Sequence, residues 1–275
     1  GVLVDPGVAR AGGTCGGPSF ELAGPRRRIF FDPARTRAGI ITCGGLCPGL
    51  NDVIRAIVME LWFRYGVKEI HGFKYGMEGL VPEYGHLPVP LDPEVVGDIL
   101  DQGGSILGSS RGEQDKEVMV DTLERLGIDL FFLIGGDGTF KGALQLAEVI
   151  GRRKLPISVV GVPKTSDNDI RLTSRTFGFE TAVKVAVDAV KAAHNEAEGY
   201  KNGVGLIKLM GRHSGFIAAA TALAQQDVNF VLIPEVDFDL EGEQGFLAAL
   251  ERRLARRRHA VVVAAEGAGQ KFFAG

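Results

Sequence analysis

The chain has 275 residues, a formal net charge of −3, 45% hydrophobic residues and 24% charged residues. This composition is ordinary for a globular protein and excludes a collagen, a coiled coil or a disordered chain. A slightly acidic balance gives no general attraction to nucleic acid or anionic lipid, so an anion-binding site would have to be local. No apolar run in the sequence is long enough to cross a bilayer, and we predict neither a nucleic-acid nor a membrane partner.

The cysteines indicate a reducing compartment. Only Cys15, Cys43 and Cys47 are present, and an odd, sparse set does not form a disulfide framework. Cys43 and Cys47 also lack the second ligand pair that a structural zinc site needs. We therefore predict a cytoplasmic protein.

The first half of the chain predicts an irregular arm followed by alternating strands and helices. Residues 1–28 are rich in Gly, Pro and Arg and show little periodicity, which is typical of an extension. Apolar residues at helical spacing, short apolar runs and prolines then define the elements. These are a strand at 38–42, a helix at 50–65, a strand at 67–73, a loop at 77–92 and a helix at 93–102.

The second half continues the alternation with longer elements. The predicted helices are 116–126, 139–151, 177–197, 213–224 and 241–257, and the strands are 130–134, 157–162, 204–209, 230–233 and 260–265. Strand–helix alternation with short turns is typical of parallel sheets covered by helices. We predict an α/β fold with doubly wound parallel sheets and helices on both faces.

Glycines and polar residues follow five of the predicted strands. In open parallel sheets, ligands bind at the carboxyl ends of the strands, so these segments together predict one site. Taken singly, each segment fits a tight turn, a helix cap or a solvated surface at least as well as a site, and only their joint occurrence favours a site. The segments are 43–51, 135–139, 163–169, 210–212 and 266–269.

Charge suggests a role for each kind of residue. Glycine pairs that lead into helices present N–H groups to phosphate oxygens. Asp137 places an anion where phosphate is expected, which implies a hard divalent cation such as Mg²⁺ between them. Of Asp167 and Asp169, one could hold metal while the other removes a proton from an attacking hydroxyl. Lys164 and Arg111 could neutralise phosphate charge in the transition state.

Together, these motifs resemble those of the 6-phosphofructokinases. From about Arg27 to the end of the chain, they occur in the same order as in that family. GGDGT alone also occurs in NAD kinases and diacylglycerol kinases, but PKT-x-DND and MGR do not belong to those families. The motifs are GG-x-x-PG-x-N from Gly44, GGS-x-LGS-x-R from Gly103, GGDGT from Gly135, PKT-x-DND from Pro163, MGR from Met210 and EG from Glu266.

The resemblance implies a glycolytic, allosteric enzyme that transfers a phosphoryl group from Mg²⁺-bound ATP to the 1-hydroxyl of fructose 6-phosphate. It implies Asp167 as the catalytic base, Asp137 as the Mg²⁺ ligand and Asp169 as a second acidic residue at the metal–phosphate site. The implied ATP-binding residues are Gly45, Arg111, Gly112, Gly136, Asp137, Gly138, Thr139 and Lys164. The implied sugar-phosphate residues are Thr165, Asp167, Met210, Gly211, Arg212 and Glu266.

The resemblance also implies a phosphofructokinase-like division of the chain and a homo-oligomer, either a dimer or a tetramer. We expect an N-terminal extension at 1–36, a nucleotide-binding subdomain at 37–170 and a sugar-phosphate subdomain at 171–275. The family continues for a long segment beyond the point that matches Gly269, and that segment supplies basic residues for the 6-phosphate. We therefore expect a chain truncated at its C-terminus, with an incomplete second subdomain.

The phosphoryl donor in this family is ATP or pyrophosphate. Pyrophosphate users typically have Asp where this chain has Gly138, whereas Lys164 resembles the pyrophosphate enzymes. The Gly/Lys combination resembles the ATP-using subgroup of plants, trypanosomes and some bacteria, so we predict ATP, with pyrophosphate as the alternative.

Ser166 departs from the usual Ile, and its hydroxyl replaces an apolar group beside Asp167. A truncated regulatory relative that binds nucleotide without catalysis is a second alternative, and a kinase for another sugar phosphate or a nucleoside is a third.

Overall fold

The computed structural model describes residues 28–170 and 173–272, together with Gly24 and two short strands near the N-terminus. These are β1 (Val2–Leu3) and β2 (Ser19–Phe20), which pair antiparallel. The predicted irregular arm therefore lies largely outside the described residues. Within the described part of the chain, no helix combines the length and the apolar character that crossing a bilayer requires.

A five-stranded sheet forms the first half of the fold. Its strands are β3 (Arg37–Thr42), β4 (Glu69–Gly72), β5 (Val89–Pro90), β6 (Leu130–Gly135) and β7 (Ser158–Pro163). They run in the order β5-β4-β3-β6-β7. Neighbouring strands pair in parallel, except that the edge strand β5 runs antiparallel to β4.

Helices cover both faces of this sheet because its central strands are apolar on both sides. On one face, Ile41 and Phe131 pack in a core with α2 (Lys116–Arg125) and α3 (Asp137–Arg153). On the other face, Ile40 packs against α1 (Leu50–Met59), which continues as π-helical turns over Glu60–Tyr65. This arrangement confirms the predicted α/β class.

A three-stranded parallel sheet forms the second half. Its strands are β8 (Gly203–Leu209), β9 (Phe230–Leu232) and β10 (His259–Ala265), in the order β8-β10-β9, and its helices are α4 (Phe179–Gly199), α5 (Phe216–Ala224) and α6 (Phe246–Arg257). Val190 on α4 and Ala218 on α5 pack against Val261 and Val263 on one face of β10. Helix α6 lies on the opposite face, where Phe246 meets Phe230 edge to face. The subdomain boundaries at 37–170 and 171–275 remain predictions.

The predicted helix at 93–102 is wrong, because the segment forms successive turns. Asp92 accepts hydrogen bonds from the N–H groups of Glu94 and Val95, as a helix cap would. One helical bond follows, from Val96 to Asp92, but Gly97 then bonds to Glu94 three residues back. Two β-branched residues followed by glycine disfavour propagation of the helix.

Two predicted helices begin later than expected. The helix predicted from His213 begins at Phe216, because Ser214 and Gly215 form hydrogen bonds to distant segments instead. The helix predicted from Glu241 begins at Phe246, after a turn in which Gly242 has φ +91°. In both places tertiary contacts or turn geometry outweigh the local helical pattern.

Gly39 makes the closest approach of the β3 backbone to the aromatic core. A Cβ atom there would lie 2.9 Å from Phe73 Cε2 and 3.0 Å from Phe131 Cδ2, and both rings are fully buried. We expect Gly39→Ala to lower the free energy of unfolding by about 1–3 kcal/mol, because the packed rings have no free space to move into. Urea denaturation would measure this change.

The matched control is Gly151→Ala in α3. A Cβ at Gly151 would meet nothing within 4 Å, and alanine favours a helix more than glycine does. We expect the free energy of unfolding of Gly151→Ala to stay the same or to rise by up to about 1 kcal/mol. Equal stability of the Gly39→Ala variant and the unsubstituted chain would contradict the packing argument.

Candidate active site

A cleft of about 820 Å³ opens where the carboxyl ends of β3, β6, β7 and β8 meet. Twelve of the fourteen residues predicted to bind ATP or the sugar phosphate line this cleft. Asp137 and Asp167, which come from different strand ends, therefore face the same space. The twelve lining residues are Gly45, Arg111, Gly112, Gly136, Asp137, Gly138, Thr139, Lys164, Thr165, Asp167, Met210 and Arg212.

The remaining two predicted residues lie beside the cleft rather than in its lining. The Gly211 carbonyl accepts a hydrogen bond from the N–H of Gly267, which ties the end of β8 to the end of β10. Glu266 Oε1 lies 3.7 Å from Arg212 Nε. Glu266 therefore lies beside the cleft, next to Arg212, which does line it.

The amino terminus of α3 forms one wall of the cleft. The helix begins at Asp137 directly after β6, and its N-cap residue, Gly136, has no side chain with which to cap the first N–H groups. Thr139 is buried and folds back over Gly135, where an added Cβ would lie 2.2 Å from its hydroxyl oxygen. Free N–H groups at the start of a seventeen-residue helix form a site for an anion such as phosphate.

The Asp137 carboxylate is available for a cation. Its side chain is 85% exposed, and it forms an ion pair with Lys141 one turn later, at 3.2 Å. Mg²⁺ in proteins typically takes one or two carboxylates and completes its coordination with water and substrate phosphates. In the part of the chain that the structure describes, the cleft holds no convergent group of three His, Cys, Asp or Glu side chains. A single open carboxylate beside an anion site fits Mg²⁺.

Lys164 is a buried cation on the floor of the cleft. Its side chain is 6% exposed and its Nζ donates a hydrogen bond to the Gly45 carbonyl, which links the loop after β7 to the loop after β3. Burial lowers the pKa of Lys164, an effect that the thiols of Cys47 and Cys43 oppose. Arg111 adds a second positive charge, with Nη2 3.6 Å from the position that a Cβ at Gly45 would occupy.

Hydrogen bonds on both sides fix the main chain of Asp167. Its N–H donates to Thr165 Oγ1 at 3.1 Å, and its carbonyl accepts from Ser214 Oγ at 2.9 Å. Ser166, which departs from the family pattern, is buried between Thr165 and Asp167. The position of Asp167 therefore depends on the hydroxyls of Thr165 and Ser214.

The Asp167 carboxyl has the properties of a proton acceptor. Its Oδ1 is buried and has no hydrogen-bond partner within the described ranges 28–170 and 173–272. Burial raises the pKa of Asp167, and the charges of Asp169 and Glu266 raise it further, while Arg212 and His213 oppose the shift. An unpaired carboxylate with a raised pKa holds a proton more tightly than an exposed one does, which suits a general base.

Sequence reasoning missed several residues that line the cleft: Ser110, Glu113, Lys116, Lys141 and His213. Lys141 lies four residues after Asp137, which is the spacing of an ion pair on one helix face. The predicted helix began only at residue 139, so Asp137 lay outside it and the pair was not recognised. The hydrogen bond from Ser214 to Asp167 spans 47 residues, and no sequence pattern indicated it.

Comparison with known proteins agrees with this geometry. The profile of the phosphofructokinase family matches residues 37–274. An "ATP-dependent 6-phosphofructokinase" of Borreliella burgdorferi is 58% identical over 92% of this chain and 58% of its own length. One from Amycolatopsis methanolica is 56% identical over 93% of this chain and 56% of its own length.

Among solved structures, a pyrophosphate-dependent phosphofructokinase from Marinobacter aquaeolei aligns with a TM-score of 0.73 at 25% identity. The alignment covers 85% of this chain and 61% of that one. The chain thus spans a little over half the length of the two curated relatives. The family profile covers most of the chain, and the motifs that line the cleft agree with it. The chain belongs to the phosphofructokinase family.

Proposed function

We propose that this chain carries the catalytic loops of an ATP-dependent 6-phosphofructokinase. The reaction transfers the terminal phosphoryl group of ATP to the 1-hydroxyl of fructose 6-phosphate and gives fructose 1,6-bisphosphate, a step of glycolysis. The observation that carries the proposal is the placement of Asp137 and Asp167 in one cleft, beside the free amino terminus of α3. Relatives that bear this name at 56–58% identity support it.

In this proposal the first sheet binds the polyphosphate. The N–H groups at the start of α3 donate to phosphate oxygens, and Lys164 and Arg111 neutralise the charge that spreads over the transferred group. Asp137 holds Mg²⁺, which when bound supplies positive charge to the phosphate oxygens. The nucleotide contacts of Gly45, Gly112, Gly136, Gly138 and Thr139 are part of the same proposal.

Asp167 is the proposed base for the sugar hydroxyl. Its carboxylate accepts the proton as the hydroxyl oxygen attacks the phosphoryl group. The fixed main chain of Asp167 keeps its carboxylate in place at the cleft. Thr165, Met210, Gly211, Arg212 and Glu266 are the proposed contacts of the sugar phosphate.

We assign ATP as the phosphoryl donor because the cleft has free space beside Gly138. A Cβ at this position would meet nothing within 4 Å, so the cleft stays open beside the first turn of α3. The curated relatives named as ATP-dependent are also much more similar in sequence than the pyrophosphate-dependent structure is. Pyrophosphate remains the alternative donor, because Lys164 resembles the lysine found in the pyrophosphate-dependent enzymes of the family.

The proposal also covers the subdomains, the oligomeric state and the cellular compartment of the enzyme. We infer that residues 37–170 and 171–275 act as nucleotide and sugar subdomains, and that the protein is a cytoplasmic homo-oligomer, either a dimer or a tetramer. Cys43 and Cys47 are buried free thiols, in keeping with a reducing compartment, and burial raises the pKa of Cys43 to about 11.

A coupled assay for fructose 1,6-bisphosphate tests the proposal directly. The purified chain is given fructose 6-phosphate and Mg²⁺ with either ATP or pyrophosphate. We expect turnover with ATP and none with pyrophosphate. Turnover with pyrophosphate alone would overturn the donor assignment, whereas ATP binding without any turnover would favour the nucleotide-binding regulatory alternative.

A further inference from the structure

Two histidines and two carboxylates lie together at the end of the second sheet that is remote from the cleft. His194 and Glu198 are one turn apart on α4, His259 begins β10, and Asp227 lies in the connection from α5 to β9. His259 pairs with Gly203, the first residue of β8, so the group is at the amino ends of these strands. The cleft lies at their carboxyl ends, and the group belongs to a different part of the surface.

The separations between the ligand atoms of this group fit coordination of one shared ion better than they fit hydrogen bonds between the side chains. His194 Nε2 lies 3.7 Å from Glu198 Oε2 and 3.8 Å from Asp227 Oδ1. Hydrogen bonds between such atoms are normally about 2.7–3.2 Å long. A tetrahedral ion with bonds of about 2.0–2.2 Å holds its ligand atoms about 3.4 Å apart. One ligand atom each from His194, Glu198 and His259 also lies within 4.8 Å of the other two.

The surrounding contacts hold these groups in position, and among the described residues no hydrogen bond uses a ring nitrogen of His194 or His259 or a carboxylate oxygen of Glu198. Gln225 donates to Asp227 Oδ2, which leaves Oδ1 directed at His194. Arg253 Nε donates to the His259 carbonyl at 3.2 Å and so fixes the start of β10. The rings of His194 and His259 meet edge to face at 5.3 Å.

His194 itself lacks compensation for its burial. Its side chain is 17% exposed, and Nδ1 is buried without a hydrogen-bond partner among the residues that the structure describes. Its Nε2 is beyond hydrogen-bond distance from both neighbouring carboxylates. A buried polar group without partners destabilises the fold. A cation bound at Nε2 would give that nitrogen a ligand bond, although Nδ1 would stay unpaired.

We propose that His194, Glu198 and His259 form a binding site for a divalent transition metal, with Zn²⁺ as the best-fitting ion. Two imidazoles and a carboxylate are ligand types that suit zinc, whereas imidazole is a poor ligand for Mg²⁺. The charges of Glu198 and of the neighbouring Asp227 balance the charge of the ion. The metal joins α4 to β10, so its role is to stabilise the second sheet.

Zinc titration of the metal-free chain tests the proposal. After treatment with a chelator and dialysis into a buffer with excess Mg²⁺, which occupies the carboxylates of the cleft, Zn²⁺ is titrated by calorimetry. We expect one Zn²⁺ per chain and a rise in Tm of several degrees, because binding to the folded state alone stabilises it. Co²⁺ in the same site should show the visible absorption bands of a tetrahedral complex. Absence of saturable Zn²⁺ binding would overturn the proposal.

Two variants and one control locate the site. His259→Asn and Glu198→Gln should each weaken Zn²⁺ binding by about tenfold or more, since each removes a ligand. Glu196→Gln is the control, because Glu196 is exposed on the same helix and lies outside the group. Glu198 is itself 56% exposed, so its variant tests the site even if His259→Asn does not fold. Unchanged Zn²⁺ affinity in Glu198→Gln, or an equal loss in Glu196→Gln, would contradict the assignment.

Discussion

Replacing Asp167 with Asn is expected to lower kcat about 10²- to 10⁴-fold, because an amide cannot accept the proton of the attacking hydroxyl. ATP affinity should change little, since the proposed nucleotide contacts lie mainly on the loops after β3 and β6. The main-chain hydrogen bonds that fix residue 167 do not involve its carboxylate, so the loop should keep its shape. The coupled assay gives kcat, and calorimetric titration gives the ATP affinity.

Although Asp167→Asn lowers activity, it should leave the folded protein as stable as the unsubstituted chain or more stable. The folded state raises the pKa of Asp167 above that of an exposed Asp, so the folded protein binds this proton more tightly than the unfolded chain does. Stability therefore falls as pH rises through the interval between the unfolded pKa and the raised folded pKa. We expect the Tm of Asp167→Asn to equal or exceed that of the unsubstituted chain at pH 7, with the difference vanishing in acid.

Asp169→Asn is the matched control for Asp167→Asn. Asp169 is exposed, and its Oδ1 accepts a hydrogen bond from Thr165 Oγ1 that an Asn oxygen can also accept. We expect a smaller loss of kcat, together with an acid limb of the pH–rate profile at lower pH, because the Asp169 charge no longer raises the pKa of Asp167. Equal losses in the two variants, or full activity of Asp167→Asn, would refute Asp167 as the base.

The sequence predicted the fold well where elements are long and periodic. The run at 130–134 is apolar throughout and forms a central strand, as expected for burial on both faces. The edge strand β5 was not predicted, because Val89–Pro90 is only two residues long and has no periodicity to detect. The turns at 93–102 were misread as a helix because Asp92 and Pro93 together form a helix-start signal.

The expectation that ligands bind at the carboxyl ends of parallel strands predicted which loops form the cleft. It did not predict the hydrogen bonds that hold these loops together. Lys164 reaches the Gly45 carbonyl across 119 residues of sequence, and Ser214 reaches Asp167 across 47. Such contacts depend on the crossing of loops from different strands, and spacing along the chain carries no information about them. Likewise, nothing in the sequence indicated that His194 and His259 would meet, since they lie on different elements.

Introducing Asp at Gly138 is expected to weaken ATP binding about 10- to 100-fold, or about 1.4–2.8 kcal/mol, while leaving the fold intact. The new carboxylate would lie in the first turn of α3, next to Asp137 and close to the proposed phosphate oxygens. Like charges at such distances repel strongly where water is partly excluded. Calorimetric titration with ATP and Mg²⁺ measures the effect, and pyrophosphate is titrated in parallel.

The fold should tolerate this change. A Cβ at Gly138 meets nothing within 4 Å, its φ is not positive, and an acidic residue near a helix amino terminus is favoured by the helix dipole. We therefore expect the Tm of Gly138→Asp to equal or exceed that of the unsubstituted chain. A loss of ATP binding accompanied by a lower Tm would indicate misfolding of the loop and would not support the donor argument.

Gly138→Asn separates charge from size, because its side chain has nearly the same volume as Asp without the negative charge. If repulsion of phosphate excludes ATP, Gly138→Asn should retain most of the ATP affinity that Gly138→Asp loses. If the side chain instead fills space that the nucleotide needs, both variants should lose affinity equally. Unchanged ATP affinity in both would mean that this turn of α3 does not face the nucleotide, and Gly138 would no longer distinguish ATP from pyrophosphate as the donor.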